Sequence, residues 1–434
     1  MSRTDRSNAA SMPRRLVLAR LPLLGLMSLL ATGAMPALAQ TQTLTVAAFP
    51  ALDEIVKAAI PVWKQKHPNV EIKVVSRQFS DHHTAMTTAL STSSNLPDVM
   101  ALEFGFVGRF AEGGGLEDLS RAPYNIGASK GRFVSYAYQQ ATADNGAVVA
   151  APADLGPGTL LYRSDLLQKA GLTEADLTRS WDSYIASGVK LKAATGAYLL
   201  AHARDIKDIA IRANVKAGEG LYFDDKGNIL VESPRFVRAF ELAKSVRDQK
   251  LDGKIGAWSN EWSEGFKRGT IGTQMMGAWL AGHLSNWLAP NTKGQWRAAQ
   301  LPEGAWASYG GSFYALPKGA SAANKALAWE FVQMMTLNPA IQQAAFKSQD
   351  AFPALVETHK DAFFDQPIEF LGGQKARVIW REATTRINAL DVNKFDPIAE
   401  EIVNTEMDKV LDQGKDIKAA LADARKLLER RARR

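Results

Sequence analysis

Tryptophan is the residue type whose number and placement in this sequence most clearly suggest a binding site. Six of the ten Trp fall between residues 258 and 306. An indole ring is flat and apolar with one hydrogen-bond donor, which suits the C–H faces of a sugar ring. Core packing is the ordinary alternative for any single Trp, but glycines among these aromatic residues would let a ligand approach the backbone closely. The six are Trp258, Trp262, Trp279, Trp287, Trp296 and Trp306, and the glycines are Gly277, Gly282, Gly310 and Gly311.

Two common nucleotide-binding signatures are missing. The sequence has neither a Gly-x-x-x-x-Gly-Lys phosphate loop nor a Gly-x-Gly-x-x-Gly dinucleotide motif, so we do not expect the chain itself to hydrolyse ATP by a phosphate-loop mechanism. The six His show no metal-ligand spacing, and His82 and His83 are adjacent on a predicted helix, so we expect them to point in different directions. The two carboxylates of a glycoside hydrolase are defined by their distance in the folded protein and not by their spacing in the sequence. An enzyme that uses such a pair therefore stays an open alternative.

The N-terminal segment has the pattern of a cleaved secretory signal. Arg14, Arg15 and Arg20 form a basic region, an uncharged Leu-rich stretch covers residues 21–31, and Ala39 ends a small-x-small cleavage pattern. The pair of adjacent arginines leaves two export routes open, the general route and the twin-arginine route. We therefore expect export to the periplasm.

Charge and cysteine content exclude several classes of protein. The formal net charge is +7, of which +4 lies in the predicted signal. Four Arg lie among the last five residues, so the rest of the chain is close to neutral. No nucleic-acid surface is therefore expected. The chain has no Cys, which excludes disulfides, thiolate metal ligands and a thiol nucleophile. The 46% hydrophobic and 22% charged content fits a folded protein, and the length suggests more than one domain.

The chain after the signal begins with five alternating elements. A strand–helix–strand–helix–strand order predicts a parallel sheet with helices on both faces. Such sheets bind ligands at the carboxyl ends of their strands, which here carry Phe49 and Glu103. The predicted strands cover residues 44–49, 70–74 and 99–102, Asp53 and Asp81 begin the helices between them, and short strands are predicted at 147–150 and 160–162.

Weak motifs along the chain, taken in order, resemble one known family. They are similar to those of the family 1 extracellular solute-binding proteins of bacterial sugar ABC transporters, which include maltose-type receptors. One departure is Arg163, where the family usually has Tyr or Phe before Asn. The matching segments are residues 67–72, 96–99, 115–119, 161–172, 266–269, 276–279, 310–313, 325–335 and 351–354.

The resemblance implies the fold class. It implies an α/β protein with the two-lobe periplasmic binding protein fold (type II), in which parallel-type sheets are flanked by helices and a ligand cleft lies between the lobes. The chain would cross between lobes near residues 149, 312 and 365. The implied organisation is 1–39 signal peptide, 40–149 plus 313–365 lobe one, and 150–312 plus 366–434 lobe two.

Nine residues are implied as the ligand-binding set when the resemblance is carried over position by position and the Trp cluster is added. Asp81 is equally well explained as a helix N-cap, Glu103 as a solvated strand end, and the first two Trp as packing partners one helical turn apart. The set is Phe49, Asp81, Glu103, Asp154, Trp258, Trp262, Trp279, Gly311 and Ser312.

The resemblance also implies the function. A neutral sugar, oligosaccharide or polyol would bind in the cleft and be delivered to the permease subunits of an inner-membrane ABC transporter, whose ATPase is a separate chain. We expect a monomer with no catalytic residue, no metal site and no cofactor. Two other classes stay open, namely a secreted glycoside hydrolase or lyase with a carboxylate pair, and a structural or adhesion protein.

Overall fold

The computed structural model describes residues 42–143 and 145–432. The predicted signal at residues 1–39 lies outside the described residues. Within the described ranges, no helix combines the length and the apolar character needed to cross a membrane.

Eight strands form one mixed sheet. Its order is β2-β1-β3-β7-β4-β5, and β6 and β8 also pair with β4. β1 is parallel to β2 and to β3, and the other pairs are antiparallel. The strands are β1 (Gln42–Ala48), β2 (Val70–Ser76), β3 (Val99–Glu103), β4 (Ala151–Arg163), β5 (Thr273–Gly277), β6 (Trp296–Ala299), β7 (Ser308–Ala315) and β8 (Phe352–Pro353).

Sixteen α-helices surround this sheet in the described part of the chain. They are α1 (Leu52–Lys66), α2 (Phe79–Thr92), α3 (Phe104–Glu112), α4 (Ser135–Gln140), α5 (Ser164–Lys169), α6 (Glu174–Thr178), α7 (Trp181–Thr195), α8 (Arg204–Ala210), α9 (Pro234–Asp248), α10 (Asn260–Arg268), α11 (Leu280–His283), α12 (Lys325–Leu337), α13 (Pro339–Gln349), α14 (Ala376–Arg386), α15 (Asp396–Gln413) and α16 (Ile417–Ala432).

The N-terminal strands confirm the predicted parallel unit, with β1, β2 and β3 close to their predicted ranges. The start of α1 differs from the prediction. Ala51, with φ +72°, occupies the N-cap position, and Asp53 lies in the first turn, where its carboxylate accepts a hydrogen bond from the N–H of Glu54 at 2.9 Å. Helix α1 continues through Pro61 to Lys66.

The central strand β4 corrects the prediction of two short strands. Residues 160–162 belong to a buried strand of 13 residues, whereas residues 147–150 form no strand. Gly156 and Pro157 would normally weaken a central strand. Here the register with β7 shifts between Pro152 and Asp154 and again between Leu155 and Pro157, so two irregularities accommodate these residues.

Two hydrophobic cores are present in the described residues. The first contains residues of β1, β3, α1, α12 and α13, together with the aromatic region that includes Trp262 and Trp296. The second contains residues of α7, α8, α9, α15 and α16. β4 contributes to both, with Leu161 in the first core and Leu160 in the second. The predicted lobe boundaries themselves stay a prediction.

Candidate functional site

Two parallel strands end side by side and bring Phe49 and Glu103 to one edge of the sheet. β1 and β3 pair with Val46 opposite Val99. Phe49 directly follows β1, and Glu103 is the last residue of β3. Because the carboxyl ends of parallel strands meet at one edge, the predicted position of a ligand site is occupied by these two residues.

Glu103 joins three elements at this edge. Its Oε2 accepts a hydrogen bond from the N–H of Gly105 at 2.7 Å, so it is the N-cap of α3. Its own N–H donates to Nε2 of His83, on α2, at 3.1 Å. Its Oε1 lies 3.3 Å from the point where a β-carbon on Gly310 of β7 would stand. The carboxylate is therefore held firmly in position.

The protonation of Glu103 is balanced near neutral pH. Burial raises the pKa of Glu103 to about 7, and the Glu400 and Asp154 carboxylates add to the rise, while the N–H of Gly105 and the Arg212 guanidinium oppose it. Around neutral pH the carboxyl group can therefore accept hydrogen bonds as an anion or donate one as an acid.

Both histidines of α2 reach β3. His83 Nε2 accepts a hydrogen bond from the Glu103 N–H at 3.1 Å, and His82 Nε2 is 2.8 Å from the Ala101 carbonyl. Burial lowers the pKa of His82 and lowers that of His83 to about 3, so both are neutral. The prediction that they point in different directions was wrong, because α2 packs on β3 and both side chains find polar backbone groups there.

Phe49 is buried within an aromatic group at this edge. Its ring centroid is 5.4 Å from those of Phe79, His82 and His83, and the last of these stacks on Phe106 at 3.9 Å. Phe49 is 8% exposed, so it offers a ligand little more than the edge of its ring.

Trp279 approaches Gly310 from another element. It follows the end of β5, and its half-buried indole Nε1–H donates to the Tyr309 carbonyl at 3.1 Å. Its Nε1 lies 3.6 Å from the point where a β-carbon on Gly310 would stand, close to the Glu103 carboxylate. Gly310 has φ +80°, which suits glycine and keeps the space between the two side chains open. We call Glu103, Trp279 and Gly310 the central site.

The first two tryptophans of the cluster have different surroundings. Trp258 is 54% exposed, and its ring plane lies within 20° of that of Trp279, with centroids 5.9 Å apart. Trp262 is completely buried, and its Nε1–H donates to Gln274 at 3.4 Å. The assignment of Trp262 to the ligand-contacting set is therefore corrected, because a buried ring can only support Trp258, 5.0 Å away.

Asp154, Gly311 and Ser312 lie where β4 and β7 pair irregularly. The N–H of Ser312 donates to Asp154 Oδ1 at 3.2 Å. Burial raises the pKa of Asp154 to about 6, and hydrogen bonds from Ser312 oppose this rise. Asp154 and Ser312 are both buried and bonded to each other, so in this structure they stabilise the strand pairing beneath the central site.

Asp81 is exposed and lies in the first turn of α2. The prediction that it caps this helix was wrong, because the helix begins at Phe79 and Gln78 occupies the N-cap position. His82 and His83, rather than Asp81, direct their side chains to β3.

Sequence reasoning missed Arg212 and Glu400. The Arg212 guanidinium lies 4.7 Å from the Tyr309 ring centroid and donates to the Asp208 carbonyl at 2.8 Å. Although burial alone would lower the pKa of Arg212, Tyr309 and the Glu400 and Asp208 carboxylates keep it above the usual value. Both missed residues affect Glu103 electrostatically. A cavity of about 170 Å³ adjoins Arg212 and Ser308.

No local signal identified these two residues. Glu400 belongs to the long helix α15, where an acidic residue normally faces solvent. Arg212 follows the short helix α8 and is part of no motif. Only the packing of distant segments brings both groups to the central site.

Arg163, the departure from the family pattern, has a structural role. Its Nε and Nη2 donate to Asp165 at 2.8 and 2.9 Å, and its Nη1 donates to the Phe266 carbonyl near the end of α10 at 3.2 Å. Arg163 is 5% exposed, so it ties the end of β4 to α10 instead of facing a ligand.

Comparisons with known proteins agree with this architecture. A lactose-binding protein of Rhizobium radiobacter is 25% identical over 345 residues, which are 75% of this chain and 77% of that protein. An arabinooligosaccharide-binding protein of Bacillus subtilis is 23% identical over 59% of this chain and 60% of that protein. A solved structure of an ABC transporter associated binding protein from B. animalis subsp. lactis Bl-04, in complex with beta-1,6-galactobiose, matches with a TM-score of 0.76 and 22% identity, over 89% of this chain and 97% of that one.

The fold and these matches define a two-lobe α/β binding protein, which confirms the predicted fold class. Residues 43–342 match the family described as bacterial extracellular solute-binding protein, and the chain belongs to this family. The family and its matched relatives are binding proteins rather than enzymes.

Proposed function

We propose that this protein is the substrate-binding protein of a carbohydrate ABC transporter and that it binds a neutral sugar, oligosaccharide or polyol. The observation that carries the proposal is the central site, where the half-buried Trp279 ring and the Glu103 carboxylate flank Gly310. The names of the lactose-binding and arabinooligosaccharide-binding relatives support a carbohydrate ligand.

The central site has the two properties that a sugar requires. A flat apolar ring accepts the C–H face of a pyranose. Glu103, with a pKa of about 7, offers hydroxyl groups either an acceptor or a donor. Arg212 and Glu400, beside the site, would add a charged donor and a charged acceptor, which form the stronger class of hydrogen bond.

The charges around the site favour a neutral ligand. The Glu400 and Asp154 carboxylates raise the pKa of Glu103, and the Arg212 guanidinium opposes this rise. A phosphorylated or acidic sugar would meet repulsion from these carboxylates, whereas neutral hydroxyls would not.

Binding would be coupled to closure of the two lobes. We propose lobe one as residues 40–149 plus 313–365 and lobe two as 150–312 plus 366–434. The irregular pairing of β4 with β7 supports a hinge near Asp154, because its register shifts interrupt the regular ladder there. Closure would exclude water and strengthen the hydrogen bonds to the ligand.

The remaining parts of the proposal concern the cellular context. The chain would act in the periplasm after export through a cleaved signal, as a monomer. Its loaded form would dock on the permease subunits of an ABC transporter, with the ATPase on a separate chain. No catalysis by the chain itself is proposed.

A saccharide screen tests the proposal. The purified protein is heated with mono- and oligosaccharides, because a ligand at 100 times its dissociation constant adds about 2.7 kcal/mol of stability. The stabilisation by a hit should be reduced in Trp279→Ala and unchanged in Val189→Ala, which truncates an exposed side chain on α7. Failure of every saccharide to stabilise the protein would refute the proposal, and turnover of a hit would replace it with the hydrolase or lyase alternative.

A further inference from the structure

Helix α3 and the segment that leads into α15 approach each other very closely. A β-carbon on Gly108 would lie 2.6 Å from the carbonyl carbon and oxygen of Asn393 and 2.7 Å from its nitrogen. Real β-carbons essentially never approach other atoms within 3.0 Å, so no side chain fits at this position. Gly108 is buried inside α3, where glycine is a poor helix former. The close approach of the second segment therefore explains why glycine is needed here.

The segment around Asn393 is held firmly in place. The Asn393 N–H donates to Asp396 Oδ2 at 2.8 Å, and Asn393 Oδ1 accepts a hydrogen bond from the Phe395 N–H at 3.0 Å. Leu390 and Val392, just before it, are buried. A displacement of the Asn393 backbone would therefore also displace the start of α15.

An ion pair extends the contact towards the end of α3. Lys394 Nζ lies 2.9 Å from Glu112 Oε2. Both side chains are partly exposed, so the pair adds little energy by itself but favours one alignment of the two segments. We call Gly108, Glu112, Asn393 and Lys394 the α3–α15 contact.

The contact joins elements that belong to different hydrophobic cores. Phe110 of α3 is buried in the first core, whereas Val403 of α15 is buried in the second. Val392, in the segment before α15, is buried in the first core, so this segment reaches from one core to the other. In the proposed division of the chain, α3 belongs to lobe one and α15 to lobe two. The α3–α15 contact is then a noncovalent contact between the two lobes.

The same two helices also meet at the central site. Glu103 caps the start of α3, five residues before Gly108, and Glu400 lies on α15, seven residues after Asn393. The Glu400 carboxylate acts on Glu103 and raises its pKa. Because α3 and α15 are in direct contact, the position of α15 at Gly108 determines where Glu400 stands relative to Glu103.

We propose that Gly108, Glu112 and Lys394 are positioning residues for sugar binding, because their contact holds the two lobes together and places Glu400 at the central site. None of them would touch the ligand. This inference rests on the proposed sugar-binding function and on the proposed lobes. Part of the free energy of closure would come from the protein itself, so the apparent affinity for every sugar would depend on this contact.

The test compares affinity, stability and shape in Gly108→Ala. The added β-carbon must displace the Asn393 backbone, so the dissociation constant of the best screening hit should rise about tenfold or more in calorimetry, as the closed form becomes less populated. Because the separated surfaces belong to different lobes, the urea midpoint of the unliganded protein should stay unchanged while its radius of gyration increases. Gly113→Ala is the matched control at the end of α3, where a β-carbon would have only ordinary contacts from 3.5 Å, and it should bind like the wild type.

A charge-reversal series supplies a second set of variants that leaves Gly108 intact. Glu112→Lys and Lys394→Glu each place like charges together and should each weaken binding about threefold at low salt. The double variant restores an opposite pair and should bind within about 1.5-fold of the wild type. If Gly108→Ala lowers the urea midpoint, this series decides, because a purely structural loss would not be rescued by the second change.

Four results would overturn the positioning role. They are an unchanged affinity in Gly108→Ala, a lowered urea midpoint with unchanged affinity, a double charge variant that binds no better than the single ones, and an equal radius of gyration in the unliganded wild type and Gly108→Ala. Absence of binding to any saccharide would instead overturn the proposed function, and the scattering comparison, which needs no sugar, would still decide whether the α3–α15 contact holds the lobes together.

Discussion

The backbone N–H of Glu103 donates to Nε2 of His83 at 3.1 Å, and Nδ1 of the same ring faces the Phe79 carbonyl at 2.8 Å. Both ring nitrogens are therefore engaged, and only the neutral tautomer with its proton on Nδ1 satisfies both partners. The histidine thus positions the strand end that carries the central carboxylate.

This arrangement predicts an acid-sensitive contribution to stability. Burial lowers the pKa of His83 to about 3 in the folded state, whereas an unfolded chain binds a proton on this imidazole near pH 6.5. Stability is therefore lost as the pH falls from 6.5 towards 3, by about 2 kcal/mol between pH 6.5 and 5. Urea unfolding at the two pH values measures this loss of the free energy of unfolding. The loss should be smaller in His83→Gln than in the wild type by this amount. Val189→Ala, which truncates an exposed side chain on α7, is the control and should keep the full dependence. Equal pH dependence in the wild type and His83→Gln would contradict the prediction.

Glu103→Gln distinguishes classes of ligand. Above about pH 8, where Glu103 with its pKa of about 7 is ionised, the variant keeps the shape but loses the charge and part of the acceptor capacity, so binding of a neutral sugar should weaken by about 1.5–3 kcal/mol. Binding of an acidic or phosphorylated ligand should stay equal or improve, because a repulsive charge is gone. Calorimetry with the best screening hit measures the change, and tighter binding by the variant would exclude a neutral sugar as the ligand.

Substitutions of Trp279 separate stacking from packing. Trp279→Ala should weaken sugar binding by about 1–3 kcal/mol if the ring is a stacking surface. Trp279→Phe keeps a flat ring but loses the hydrogen bond to the Tyr309 carbonyl, so most of the affinity should remain while stability falls by about 1 kcal/mol. Affinity and urea stability are measured for both variants. Unchanged affinity in a destabilised Trp279→Ala protein would mean that the residue only packs.

The close approach of β4 to β7 predicts a strong glycine requirement. A β-carbon on Gly156 would lie 1.9 Å from the Tyr309 carbonyl oxygen, so Gly156→Ala must displace backbone and should destabilise the protein by about 2 kcal/mol or more. Gly131 is the matched control, because a β-carbon there meets open space. Its replacement by Ala should be neutral or slightly stabilising. Chemical denaturation of the two variants checks the difference, and equal effects would refute the tight strand contact.

Ligand binding should make the protein more compact. Closure of two lobes about the β4–β7 hinge reduces the radius of gyration without dimerisation. Small-angle scattering with and without saturating saccharide measures this change in the wild type, and at a lower saccharide concentration the weaker-binding Trp279→Ala variant should compact less. An unchanged radius of gyration at saturation would count against hinge closure.

Local patterns in the sequence were enough to predict the parallel strands β1 to β3 and the positions of Phe49 and Glu103 at their carboxyl ends. The start of α13 is of the same local kind, because Asn338-Pro339 is a typical helix-start pair: the Asn338 side chain accepts a hydrogen bond from the Ala340 N–H at 3.0 Å, and Pro339 is the first helical residue. These features depend on alternation, periodicity and capping within a few residues, which a sequence displays directly.

Tertiary structure alone decided which groups surround the central carboxylate. Arg212 and Glu400 reach it from segments that are distant in sequence, and neither has a local motif. Trp258 and Trp262 are four residues apart and identical in type, yet one is exposed and the other is buried, since their surroundings come from other elements. Packing of the whole chain determines burial, pKa shifts and the contacts between distant segments. For that reason residue type and spacing indicated some residues of the binding site but not all of the groups that surround it.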